Sequence, residues 1–141
     1  MTRVSTIAGL VQLLQKTRNE ETRRKLAENR EGGFEAIAGL VQLLQDTRNE
    51  NTRRKVAEIL GKIGKGDSEA IAGLVQLLQK TKNEETRREV ARSLGNIGNG
   101  DSEAIAGLVQ LLQKTRNENT RREVAEILGK IGKGIQRRSR D

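Results

Sequence analysis

The sequence predicts an all-α fold, an α-solenoid of about four helical hairpins with the first one truncated. Three observations predict it. The stretch EAIAGLVQLLQ begins at Glu35, at Glu69 and at Glu103, a spacing of 34 residues each time, and a fourth copy, IAGLVQLLQ, starts at Ile7. Self-similarity at a period of this size marks a solenoid. Each period then holds two stretches of apolar residues at helical spacing, separated by a short polar break. Finally, only 33% of the 141 residues are hydrophobic and Phe34 is the sole aromatic. That supply is thin for one globular core, whereas stacked units bury Leu, Ile, Val and Ala against their neighbours.

The third unit shows how each element arises. Asp67 is a good N-cap, and Ser68 and Glu69 follow in a first turn that favours negative charge. Ile71, Leu74, Val75 and Leu78 fall at i, i+3, i+4 and i+7, the stripe of an amphipathic helix. Ala72 and Leu77 widen the stripe, so more than one side of this helix is expected to be covered. Gly73 costs the helix about 1 kcal/mol against alanine. Its counterparts are Gly9, Gly39 and Gly107, and a close approach by a neighbouring helix is the expected reason. Lys80 to Asn83 break the pattern, and Asn83 can cap a second helix that opens on Glu84 and Glu85. Val90, Leu94 and Ile97 form its stripe with Ala91 beside them, and Gly95, Gly98 and Gly100 are expected to stop it through a left-handed C-cap. The units are bounded at about 5–33, 34–66, 67–100 and 101–134 in a single domain spanning 1–134, with a basic tail over 135–141.

The units are unequal. After Ala27-Glu28 the first reads NREGGFEA where the second reads ILGKIGKGDSEA, four residues longer. The second helix of the first unit is therefore expected to end near Arg30, with Gly32-Gly33 as the turn and Phe34 filling part of the gap. Capping units are often atypical in this way. The second and fourth units differ only at Asp46/Lys114 and Lys55/Glu123 over residues 35–66 and 103–134. Recent duplication or consensus construction would each produce such likeness. The fourth unit keeps the apolar Val124, Leu128 and Ile131 of an interior one, so its outer face is expected to be covered by the tail, by further chain or by a second copy.

With these residues in view, LVQLLQ…NEETRREVARSLGNIG resembles a HEAT repeat, above all the bacterial HEAT-like type found in cyanobacterial arrays. The likeness covers residues 5–134. It implies a right-handed solenoid whose second helices line the concave side. It also implies that the first Arg of each pair, Arg23, Arg53, Arg87 and Arg121, makes a structural ladder between repeats. The break between the two helices is about two residues longer than in the usual HEAT pattern and lacks its proline.

Composition narrows the function. The chain has no cysteine and no histidine, which removes thiolate chemistry, the commonest general base and the commonest metal ligand. Catalysis would then need carboxylates, Lys or a hydroxyl, and none occurs in a non-repeating constellation, while Glu and Asp recur at cap positions that a structural role explains, so no enzyme, cofactor or metal site is expected. No apolar run approaches the length of a membrane span, and a cytoplasmic protein without membrane attachment is the expectation. GKIGKG, at Gly61 to Gly66 and Gly129 to Gly134, follows a helix and lacks the G-K-[ST] ending of a phosphate loop, so it reads as helix termination. The net charge of +8 is concentrated at the two ends, while the middle units are nearly balanced.

The outward positions of the second helices are the candidate binding face: Arg54, Lys55 and Glu58, then Arg88, Glu89 and Arg92, then Arg122, Glu123 and Glu126. Mixed charge suits a protein partner with its own charge pattern. Ser93, in the place of Ile59 and Ile127, marks either a contact or an edge position. The expected function is a non-catalytic protein-interaction scaffold, able to self-associate through its terminal repeats. The alternatives are polyanion or nucleic-acid binding through Arg54, Arg88, Arg122 and the tail, or a piece of a larger repeat protein.

Overall fold

The computed structural model describes residues 30–139, with side chains over 36–132. Six helices follow one another: α1 (Arg30–Asp46), α2 (Glu50–Ile63), α3 (Ser68–Lys80), α4 (Glu84–Ile97), α5 (Ser102–Lys114) and α6 (Glu118–Ser139). They pair as hairpins, α1 with α2, α3 with α4, and α5 with α6. The hairpins stack so that α1, α3 and α5 form one layer and α2, α4 and α6 the other. The chain is therefore an all-α solenoid of helical hairpins over the described residues. The first unit up to residue 29, Arg23 included, and the side chain of Phe34 lie outside them.

Local chemistry starts α2 to α6, each on the side chain of an Asn or Asp. Asp67 accepts from the backbone N–H of Ala70 at 2.9 Å, and Asn83 from that of Thr86 at 3.0 Å. Asp101 and Asn117 repeat the pair one unit later. The stripes close into one continuous core, in which Leu40, Leu60, Leu74, Leu94 and Leu108 are fully buried. Truncating a buried leucine such as these to alanine costs roughly 2–5 kcal/mol.

Glycine sets the spacing between hairpins. A Cβ on Gly73 would stand 2.9 Å from Val41 Cγ1, and one on Gly107 would stand 3.0 Å from Val75 Cγ2. Each α3-type helix thus lies against a valine of the preceding unit. In the other layer, a Cβ on Gly61 would meet Ser93 Oγ at 2.8 Å and the Ser93 backbone at 3.0 Å. Ser93 is itself buried and donates to the carbonyl of Ala57 at 2.7 Å. It is neither an edge nor an exposed contact, but the small residue that lets α4 approach α2. One junction later Ile127 seats on Gly95, which lies inside α4 and does not stop it.

Three terminations depart from expectation. The left-handed residues are Gly66 (φ 73°) and Gly100 (φ 78°), whereas Gly98 at the end of α4 has φ −102°. α1 begins at Arg30 and runs through Gly32-Gly33 without a turn. Glycine lowers helix propensity but forbids nothing, and no Asp of the Asp67 kind precedes α3-type sequence in this truncated unit. α6 likewise continues through Gly129, Gly132 and Gly134 into the tail, to Ser139. At the interior stop, Gly66 N–H donates to the carbonyl of Ile97 in the next unit and Asp67 caps the next helix. After Gly134 come Ile135 and Gln136, with neither device. What the two interior stops share is the capping Asp of the next helix, Asp67 or Asp101, and the glycines permit the turn before it.

That distinction can be measured. Nothing lies within 4 Å of a Cβ built on Gly129, so Gly129→Ala is expected to stabilise the protein by up to about 1 kcal/mol. Gly61→Ala should instead destabilise it by about 1–2 kcal/mol, because the Ser93 backbone is in the way. Urea denaturation of both variants gives the sign.

Candidate functional site: the second-helix face and the junctions beneath it

Each junction between hairpins is built around a carboxylate in the first turn of a second helix. Glu50 accepts from the hydroxyls of Thr81 and Thr86 in the next unit, at 3.1 and 2.6 Å, and from Arg53 at 2.7 Å. Glu84 repeats this with Thr115 at 2.7 Å, Thr120 at 2.9 Å and Arg87 at 2.7 Å. All four threonines are buried. Burial pushes both carboxyls up. The threonine and arginine hydrogen bonds with the adjacent guanidinium charge outweigh that and hold them below the ordinary 4.5.

The arginines therefore work differently from the expected ladder. Arg53 and Arg87 donate to the carbonyls of Thr47 and Thr81 in their own hairpins and pair with Glu50 and Glu84 three residues earlier. Arg121 reaches the carbonyls of Leu112 and Thr115, again in its own hairpin. An arginine one turn after the glutamate is held beneath its own loop, so the crossing falls to the shorter threonine hydroxyls. Within the pairs, it is the second arginine that crosses at both described junctions. Arg54 bonds Asn83 and Thr86 of the next unit and Asn51 of its own helix, and Arg88 bonds Thr120.

The remaining candidate positions sit on the outer side of this layer. Lys55 and Glu58 pair at 3.7 Å, and Lys62 reaches Glu58 at 3.5 Å. Arg92 is exposed, pairs with Glu89 at 3.1 Å, and grips both oxygens of Glu123 across the junction at 2.5 and 3.2 Å. Arg122 and Glu126 are exposed. Burial pushes the Glu89 carboxyl above 4.5. The Arg92 charge opposes this, and the neighbouring charge of Glu58 adds to the upward push. Between α4 and α6 a groove of about 210 Å³ has Gly95, Ile127 and Ile131 as its apolar floor and Asn96, Glu126 and Lys130 on its rim. A wider, polar recess of about 570 Å³ lies at the helix starts, lined by Arg54, Arg88, Asn49 and Asn83 among others.

Among the described residues no group of His, Cys, Asp and Glu could hold a metal ion, and no helix is long and apolar enough to cross a membrane. Comparison with known families agrees with the architecture: the family described as HEAT repeats matches residues 7–83 and again 71–139. The chain belongs to the HEAT repeat family. No curated protein and no solved structure matches it. HEAT repeats are generally protein-interaction scaffolds, and the family is typically non-catalytic.

The carboxylate network makes stability pH-dependent in a defined direction. Glu50 and Glu84 bind protons less readily in the folded state, so their contribution is complete above the ordinary 4.5 and fades as pH falls through their lowered values. Glu89 acts oppositely: its contribution is complete below 4.5 and fades as pH rises through its raised value. Two against one, the urea midpoint is expected to drop between about pH 5 and pH 3. Glu84→Gln should flatten that drop and Glu89→Gln should steepen it.

Proposed function

We propose that this HEAT repeat protein is a binding scaffold that presents the outer face of its second helices to another protein. The observation that carries this is the use of its charges. The face mixes both signs, from Lys55 and Glu58 through Glu89 and Arg92 to Glu123 and Glu126, and encloses an apolar-floored groove between α4 and α6. A side chain of a partner can enter over Ile127 and Ile131 while its neighbours pair with Glu126 or Lys130. The polyanion alternative needs free guanidinium groups at Arg54 and Arg88, and both are engaged in holding hairpins together. Arg122 alone of the three is exposed.

Two measurements test the reading. A photo-crosslinking residue placed at Arg92 should capture discrete partner bands that the same residue placed at Gln110, exposed on the other layer, does not. Equal capture at both positions would count against a dedicated face. Binding of a generic DNA duplex should be absent near 0.15 M salt. Micromolar affinity there with a steep fall in log K against log salt would mean phosphate contacts and favour the alternative.

A further inference from the structure

The last described hairpin ends in the same surface that every interior hairpin uses to receive its successor. Val75 is buried against Gly107, whereas its counterpart Val109 is 38% exposed. Ala57 and Ala91 are fully buried, and Ala125 is exposed. Glu50 and Glu84 accept two threonine hydroxyls each, while Glu118 at the same position is exposed. Arg54 and Arg88 reach into the next unit, and Arg122 is exposed. Gln45 and Gln79 bond Gln76 and Gln110 of the next unit, and Gln113 is exposed.

The complement of this surface is written in the chain itself. The groups that receive it at interior junctions are a glycine, a glutamine, an asparagine and two threonines, seen as Gly73, Gln76, Asn83, Thr81 and Thr86. The first unit carries all five in register, as Gly9, Gln12, Asn19, Thr17 and Thr22. The correspondence ends only past Ala27, where Asn29 stands in the place of Ile59.

We propose that a second copy of this chain docks head to tail, its first unit seated on the α5–α6 end through the junction already used inside the stack. On the described side the contact uses Val109, Glu118 and Arg122, the counterparts of Val75, Glu84 and Arg88, and Gly9 is the position in register with Gly107. The contact joins two different surfaces, so it does not close on itself as a two-fold dimer would. It propagates into linear oligomers.

Because the chain has no cysteine, disulfide trapping reports this contact without background. At the interior junction Val75 Cβ is 3.5 Å from where a Cβ on Gly107 would stand, within the roughly 3.5–4.5 Å span of a disulfide. Val109→Cys and Gly9→Cys, prepared separately and mixed under mild oxidation, are expected to form a mixed covalent dimer in preference to either self-dimer. Val109→Cys pairing with itself as readily as with Gly9→Cys would overturn the proposal in favour of a symmetric end-to-end contact. A second variant, Val109→Glu, changes an exposed residue and should leave helix content intact while weakening association at least tenfold by sedimentation. Association unchanged in Val109→Glu, or a monomer mass at every concentration of the unaltered chain, would equally sink the idea.

Discussion

Replacing Glu84 by alanine is expected to lower the unfolding free energy by about 3 kcal/mol, a large loss for a domain of this size. The change removes one carboxylate but strands three donors: the hydroxyls of Thr115 and Thr120, both buried, and the buried guanidinium of Arg87. Each buried polar group left without its partner costs about 1–3 kcal/mol. Thr120 keeps a contact of 3.3 Å with Asn117, and Arg87 keeps the carbonyl of Thr81, which is why the sum stays below the maximum. Glu118→Ala is the matched control. It removes the same residue from the same helix position where no further hairpin is bound, and should change monomer stability by less than about 0.5 kcal/mol. Chemical denaturation of both variants separates the junction from the helix N-terminus. An equal loss in the two would mean that Glu84 acts only on its own helix.

The second large effect is expected at Gly98. An alanine there would place its Cβ 2.5 Å from Ala104 Cβ and 2.8 Å from the carbonyl oxygen of Leu94. Neither neighbour is the end of a flexible side chain, so backbone must shift, at a cost of about 3 kcal/mol. Gly95→Ala offers the contrast, because its Cβ would meet a side chain alone, the γ-methyl of Ile127 at 2.8 Å, with no backbone in the way. Gly66→Ala has open space but φ of 73°, so its cost is the conformational one, about 1 kcal/mol. The ranking of the three thermal midpoints, with Gly98→Ala lowest, checks the account. Ala104→Gly should recover part of the Gly98→Ala loss, since the two Cβ atoms compete for one space.

The parts of this fold that local chemistry decides were legible in the sequence, and those that depend on a neighbour were not. Asp67 and Asn83 announce helix starts because a side chain and the amide it accepts from lie three residues apart. Gly73 announced a close approach because nothing else excuses a glycine at a helix centre. Glu50 and Glu84 stayed hidden as junction residues, since a first-turn glutamate already has a reason in the helix dipole. Thr81 and Thr86 likewise look like loop and cap residues until the preceding hairpin supplies their acceptor. The arginine ladder was assigned to the wrong bonds for the same reason: reach between hairpins depends on the stacking register. Ser93 looked like an exception on a surface, and only its closeness to Gly61 and its bond to the Ala57 carbonyl show it as a point where α2 and α4 meet.

The bond from Gly66 N–H to Ile97 O carries a consequence for how such a chain grows. The exit turn at Gly66 is fastened by the next hairpin, and the carboxylates of Glu50 and Glu84 both take the hydroxyls of their successors' threonines. A copied hairpin inserted between two existing ones would find the same glutamate–threonine and valine–glycine partners on each side, because both interior junctions among the described residues use them. A copy that had drifted at its glycine or threonines would break the seat before it, and one that had drifted at its glutamate the seat after it. Lengthening by whole-unit duplication is thereby easy and divergence at the seams is penalised, so the near-identity of the second and fourth units is a property the packing itself preserves.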